Sequence, residues 1–365
     1  MSKKVYKLIV SLIICSITLS FLLFGFGCNE TVAPAKEETV AEETVAKEKK
    51  LALLIEQSGI KRNVDADIPG FTKRAKELGY EAIIQDAEYD PLKQIDQMES
   101  VILQGVQGIA LIPVDYQAGT KMMAMAEEAG IPVVAYNNAL PKLAFDGLVG
   151  RNSLDFAEKQ ALKMVSLYPK GNYFLAGGPE ENSWVITMST GYHNALDGIP
   201  EIKIVAEYGA VDWSADDLMA KTENALTAVN DDVDAIVCMA DFLANGVLQA
   251  LRARDLNGKV GLCGQDFDLS GAQQILSGEM NFTAFTEFYQ MAIDAVDLLT
   301  AIIEEKPLPE HSLYDNDSGV DIPWIETEVT FIDKDNIAEF VKSHTWWLPI
   351  EEVYKNVPKE EWPSE

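Results

Sequence analysis

Asp86, Asp115, Asn137, Asp241 and Asp266 each stand just after a short β-rich run. Polar groups placed there can hold a ligand, because open α/β sheets bind in the crevice outside the carboxyl ends of their strands. Their chemistry is hydrogen bonding: carboxylates accept, and a carboxamide both donates and accepts. Taken singly, each position also suits a turn former or a helix N-cap. The recurrence at five strand ends is what points to binding.

Catalytic and metal chemistries lack their residues. There is no G-x-S-x-G, H-E-x-x-H, G-x-x-x-x-G-K-[ST] or G-x-G-x-x-G, so hydrolase, zinc-protease, P-loop and dinucleotide readings lose their usual support. Three histidines (His193, His311, His344) and four cysteines without a C-x-x-C pair offer little to a metal. Asn63, Asp65 and Asp67, and again Asp315, Asp317 and Asp321, have oxygen-rich spacing but no glycine at the sixth place of a calcium loop. No metal and no cofactor is expected.

The elements that position these groups alternate. Strands are expected at 51–55, 82–84, 108–112 and 132–136, with helices near 71–78, 91–104 and 117–129 between them. Short right-handed crossovers of this kind build a parallel sheet covered on both faces. A second series begins near Asn152. Its helices are expected at 154–167, 183–196, 215–229 and 242–254, and its strands at 173–176, 202–206, 235–238 and 259–263. A strand at 282–285, a helix at 289–304, a strand at 327–332 and a short helix after Asp335 follow. This last stretch has too few elements for a domain of its own, so the chain is expected to cross between two doubly wound lobes more than once.

Composition agrees. The 365 residues, 48% hydrophobic, suffice for roughly two domains. A net charge of −29 repels phosphate backbones, so a nucleic-acid role is disfavoured. The N-terminus is set apart: Lys3, Lys4 and Lys7 precede an apolar run from Leu8 to Phe26, the pattern of an export signal. The following Phe24-Gly25-Phe26-Gly27-Cys28 resembles the lipobox of bacterial lipoproteins, with Gly25 and Phe26 where that pattern has an aliphatic and a small residue. That resemblance implies a signal peptide over 1–27 and acylation of Cys28; an uncleaved membrane anchor is the alternative, since about 20 residues can also span a bilayer. Residues 28–49 repeat ETVA, carry many charges and no aromatic residue, and read as a flexible stalk.

Three stretches carry a family resemblance: Tyr168-Pro169-Lys170-Gly171-Asn172-Tyr173-Phe174-Leu175-Ala176-Gly177-Gly178, Glu223-Asn224-Ala225-Leu226-Thr227-Ala228, and Gly264-Gln265-Asp266 with Asp268-Leu269. From about Lys50 to Ile337 the chain resembles the xylose-binding branch of the type I periplasmic binding family. The resemblance implies two similar lobes joined by three hinge crossings, closing on one sugar and presenting it to an ABC permease and its ATPase. The crossings are expected near 150–152, 284–287 and 318–322. The first lobe then comprises 50–151 plus 286–318, the second 152–285 plus 319–345, with a C-terminal tail at 346–365. Carried over by position, Arg62, Asn182, Trp213 and Asp266 match the branch's sugar-binding residues. Three positions differ: Asn138 and Thr286 stand where the branch has cations, and Ala240, just before Asp241, where it has asparagine.

A sugar presents apolar C–H faces and a ring of hydroxyls, so its binder needs an aromatic plate beside groups that donate and accept. Trp213, Arg62, Asn182 and Asp266 form such a set. Trp184, Tyr136, Phe242, Phe267 and Phe285 are further candidate plates, with core packing as the alternative for each. The three shorter side chains imply a roomier pocket and hence a hexose, inositol or short oligosaccharide, with xylose itself retained. The leading expectation is a monomeric, membrane-tethered sugar-binding protein and not an enzyme. A sensor ectodomain is the alternative, and more remotely a secreted carbohydrate-active enzyme using Asp266 with Glu287 or Glu181. Cys238 and Cys263 each lie three residues before a strand-end aspartate and so could be level neighbours; reduced buried thiols are the default and a disulfide the alternative.

Overall fold

The computed structural model describes residues 48–363 apart from Ile60 and Asn138. The expected signal peptide, Cys28, most of the stalk and Asn138 lie outside the described residues. Among the described residues no helix is long and apolar enough to cross a membrane.

Runs rich in Leu, Ile, Val and Ala form the inner strands of the sheets, most of which are buried along almost their whole length, as parallel strands covered on both faces must be, while the edge strands are only partly buried. In β1 (Lys50–Ile55) five of the six residues are buried. β2 (Glu81–Asp86), β3 (Gly108–Leu111), β4 (Val133–Tyr136) and β5 (Gly147–Gly150) follow in the first lobe. The second contains β6 (Gly171–Gly177), β7 (Ile202–Gly209), β8 (Ala235–Cys238), β9 (Gly261–Cys263) and β10 (Phe282–Thr286). The chain then adds β11 (Ser312–Tyr314), β12 (Ile322–Glu326) and β13 (Val329–Asp333). One sheet runs β11-β12-β5-β4-β3-β1-β2 and the other β13-β10-β9-β8-β6-β7. Apart from the antiparallel pairs β11–β12 and β10–β13, the strands are parallel. Each sheet thus repeats one doubly wound order, with its switch point beside its first strand, and the loops leaving those strands form the ligand edge.

The chain passes from the first sheet to the second between β5 and the helix Ser153–Leu167. It returns after β10 through the helix Phe288–Ile303, which packs on the helix Ile68–Glu77 of the first lobe. Those two helices approach closely at Gly70, where a Cβ would lie 2.8 Å from the carbonyl oxygen of Tyr289.

The third crossing departs from expectation. β12 pairs in parallel with β5 (Trp324 beside Leu148, Glu326 beside Gly150), and the Trp324 indole donates to the carbonyl of Gly150 at 2.8 Å. The crossing therefore falls at Thr327–Glu328, not at 318–322, and residues 319–326 belong with the first sheet. The physical reason is β5 itself: without β12 its far side would be a bare edge of unpaired backbone groups.

The thiols are also corrected. Cys263 is level with Val237, so Cys238 is one residue out of step and packs into a different apolar cluster on the other face of the sheet. Both cysteines are free and buried.

The C-terminal segment is part of the core. The Trp347 indole donates to the carbonyl of Phe267 at 2.8 Å, and its own carbonyl accepts from Lys61 Nζ at 3.0 Å, so one residue touches both lobes. Its ring lies 5.4 Å from Phe285 and 6.5 Å from Phe288. Trp347→Ala is expected to cost about 3–5 kcal/mol of stability, read as a lower denaturation midpoint, whereas removing its exposed neighbour in Trp346→Ala costs clearly less. Equal losses would contradict this placement.

Candidate functional site

Just past β1 the backbone makes a five-residue π turn, Asn63–Asp67, before the helix that Pro69 opens. A π turn brings residues five apart onto one side. Here it sets the Arg62 guanidinium against the Asp67 carboxylate in a two-pronged contact, Nε to Oδ2 at 2.8 Å and Nη2 to Oδ1 at 3.2 Å. The buried Tyr136 hydroxyl donates to the same carboxylate. The guanidinium lies over the Phe288 ring, 4.0 Å from its centroid. Burial works against the charge of Arg62, but Asp67 more than offsets it and the pKa is raised. Burial pushes the neighbouring Glu56 carboxyl up, and Arg62 opposes that shift.

The second lobe supplies an aromatic wall. Trp184 and Trp213 lie 5.9 Å apart, and Phe242 is 6.3 Å from Trp213. Trp213 can settle there because residue 178 is glycine: a Cβ would fall 2.4 Å from the indole. Asn182 caps the helix Ser183–Leu196, its side-chain oxygen accepting from the amides of Trp184 at 2.9 Å and Val185 at 3.3 Å. The same contact orients the start of the helix that carries Trp184. Asp266 adopts a left-handed φ of 90° after β9 and accepts from Gln265 Nε2 at 2.9 Å.

At the joint between the lobes stands Arg151, which sequence reasoning leaves unassigned. It is 9% exposed. Its Nη1 donates to the hydroxyl of the wholly buried Thr286 at 2.8 Å, and its guanidinium lies 5.4 Å from the Trp184 ring and 5.0 Å from Phe156. Burial pushes its pKa down to about 10, the Asp266 charge opposes that shift and Arg62 adds to it. Arg62 from one lobe and Asp266 from the other thus both act on the charge of Arg151 in the crossing between them. The space expected beside the short Thr286 is where the Arg151 side chain reaches.

Other candidates are placed differently. Asp241 is wholly buried: Oδ1 accepts from Thr283 Oγ1 at 2.6 Å and Oδ2 from the Asp268 amide at 3.0 Å. It braces the loop that carries Asp266 and does not join the partly exposed groups. Asp115 caps the helix Tyr116–Ala129 through the Ala118 amide at 2.7 Å, and Asp86 accepts from Ser58 Oγ and, at 2.8 Å, from the Glu88 amide; both follow the cap-and-turn reading. Asn137 takes a left-handed φ of 70°, and its amide donates to the carbonyl of Val149 at 2.8 Å, tying β4 to β5 at the hinge. Tyr136, Phe267 and Phe285 are fully buried core residues. Glu287 meets His344 Nε2 at 3.1 Å. Among the described residues no cluster of histidine, cysteine or carboxylate side chains could hold a metal.

Residues 52–307 match the periplasmic binding protein domain. The chain belongs to that family. It is 30% identical to the D-xylose-binding periplasmic protein of Escherichia coli strain K12 over 81% of this chain and 90% of that one. It is 29% identical to the protein of the same name from Haemophilus influenzae, with the same shares covered. A solute-binding protein of an ABC transporter from Clostridium phytofermentans, solved with bound β-D-glucose, superposes with a TM-score of 0.71 over 84% of this chain and 100% of that one at 22% identity. The Caulobacter myo-inositol binding protein, solved with myo-inositol, gives 0.66 over 81% and 96% at 24% identity. These likenesses support the fold of two mainly parallel sheets flanked by helices.

The buried Asp241 yields a pH test. Burial and the nearby Asp268 raise its pKa well above 3.8, so the folded protein keeps a proton that the unfolded chain releases. Its contribution to stability is therefore full below the ordinary aspartate range and is lost as pH rises from that range through the raised folded value. Asp241→Asn can donate to Thr283 and accept from the Asp268 amide without titrating. Urea denaturation between about pH 3 and about pH 7 is expected to show a shallower fall for the variant than for the wild type; identical slopes would contradict a raised pKa.

Proposed function

We propose that this chain is an extracytoplasmic sugar-binding protein that closes two lobes on one ligand and delivers it to an ABC importer. The observation that carries the reading is the Trp184–Trp213–Phe242 wall with the Arg151 guanidinium of the hinge 5.4 Å from the Trp184 ring. An indole face suits the C–H face of a pyranose, while the guanidinium groups donate and Asp266 accepts from the hydroxyls on its rim. Arg62, Asn137, Asn138, Asn182, Trp184, Trp213, Asp266 and Thr286 make up the proposed binding set, and Asp241 supports it from below.

The ligand is xylose-like or somewhat larger. Relatives named for D-xylose, and structures solved with D-allose, β-D-glucose and myo-inositol, support that range. The protein acts as a monomer, held outside the cytoplasmic membrane by an acylated Cys28 and the stalk that follows. Removal of the leader takes Lys3, Lys4 and Lys7 with it, and the charge of the mature side chains becomes −32.

Two outcomes are expected. In a thermal-shift screen of the chain from Lys49 against pentoses, hexoses, inositols and disaccharides, one class raises the midpoint. Calorimetry on that hit gives one site per chain, and ligand at 100 times its dissociation constant adds about 2.7 kcal/mol. No shift with any of them would contradict the sugar reading. In cells, the wild type fractionates with membranes, whereas Cys28→Ser reduces lipid labelling to background; unchanged labelling would contradict acylation at Cys28.

A further inference from the structure

Among the described residues Arg151 is a buried cation with no carboxylate within ion-pair distance and no hydrogen-bond acceptor for its Nε–H. A buried donor left unpaired is costly, a charged one more so. Its position concentrates that cost at the hinge. Arg151 lies in the first crossing and bonds Thr286 at the end of the strand that opens the second. The third crossing is tied to the first through the Thr327 amide and the carbonyl of Gly150 at 3.1 Å. The Thr327 hydroxyl, also buried, is likewise without a partner among the described residues.

Both residues line a hollow of about 360 Å³, within the usual size of small-molecule sites, about 300–1,000 Å³. Its other charged groups are Asp155, Glu326 and Glu328 against Lys159. Three carboxylates against two cations leave the hollow with no surplus positive charge. An anionic sugar would meet repulsion there, whereas a hydroxyl or ring oxygen could accept from Arg151 without bringing charge.

We propose that this hollow is the hinge end of the ligand site, and that Arg151 determines specificity by donating its free Nε–H to one oxygen of an uncharged sugar or polyol. This rests on the sugar-binding reading and names the chemistry of its ligand more closely. Because Arg151 belongs to the crossings themselves, that bond joins the ligand to the part of the chain that bends when the lobes move.

The experiment is titration calorimetry of the wild type, Arg151→Met and Arg151→Lys with D-xylose, D-glucose, their monodeoxy derivatives and D-glucuronate. Arg151→Met is expected to bind the preferred sugar about ten- to a hundred-fold more weakly, the loss of one charge-assisted hydrogen bond. At one deoxy position the wild type loses a similar factor and Arg151→Met loses none, because the bond is already gone. Arg151→Lys, which keeps the charge and guards against misfolding, recovers part of the affinity, and D-glucuronate binds the wild type more weakly than D-glucose. A variant that weakens every analogue by one common factor, or does not weaken binding, would overturn the role of Arg151 and leave the sugar reading standing. Tighter binding of D-glucuronate would overturn the uncharged class. A folded wild type that binds no pentose, hexose, inositol or disaccharide would overturn both readings.

Discussion

The three segments that pass between the sheets are hydrogen-bonded to one another, and the site depends on that joint. Gly150 receives the Trp324 indole and the Thr327 amide, the Glu287 amide donates to the carbonyl of Glu328 at 3.2 Å, and Arg151 bonds Thr286. Crossings bound in this way bend as a unit, so the lobes can rotate without losing register in either sheet. Trp347 reinforces the same region from below, with one hydrogen bond to each lobe. Hinge motions of this kind concentrate backbone change in a few residues at the ends of elements, and here those residues adjoin the candidate site.

Charge is managed by position. Arg62 is held by Asp67, whose carboxylate also accepts from the Tyr136 hydroxyl, so the guanidinium is already oriented before any ligand arrives. Asp241 lies beneath the loop of Asp266, where burial favours its neutral form and limits the negative charge at that strand end. Beside the aromatic wall stand the accepting Asp266 and the incompletely paired Arg151 guanidinium, and the hollow next to Arg151 adds Asp155, Glu326 and Glu328 against Lys159. Such a site rewards a neutral molecule with both donors and acceptors more than it rewards an ion.

Much of this was legible in the sequence, for identifiable reasons. The buried strands announce themselves as short aliphatic runs, and helix starts carry their caps, as at Asp115 and Asn182. β5 does not: Gly147-Leu148-Val149-Gly150 is too short and too rich in glycine to read as a strand, and its partner β12 contains Pro323. Missing that pair displaced the third crossing. The helix Leu269–Ser277 shows a cap at Asp268 and a stop at Gly278, yet it is short enough to pass for a loop. Arg151 follows β5 with no motif to mark it, and only the meeting of three crossings distant in sequence gives it a role. Asp241 shares the strand-end pattern of Asp266, and burial alone, which the pattern does not encode, separates the two.

The central claim is that one sugar sits at the hinge between an aromatic wall and two guanidinium groups. The most direct test is a crystal structure of the chain from Lys49 with the sugar that gives the largest thermal shift. The account predicts one sugar ring against Trp213 or Trp184, within hydrogen-bonding distance of Arg62, Asp266 and Arg151. A sugar bound elsewhere, with those side chains untouched and the lobes arranged as they are without it, would contradict the account.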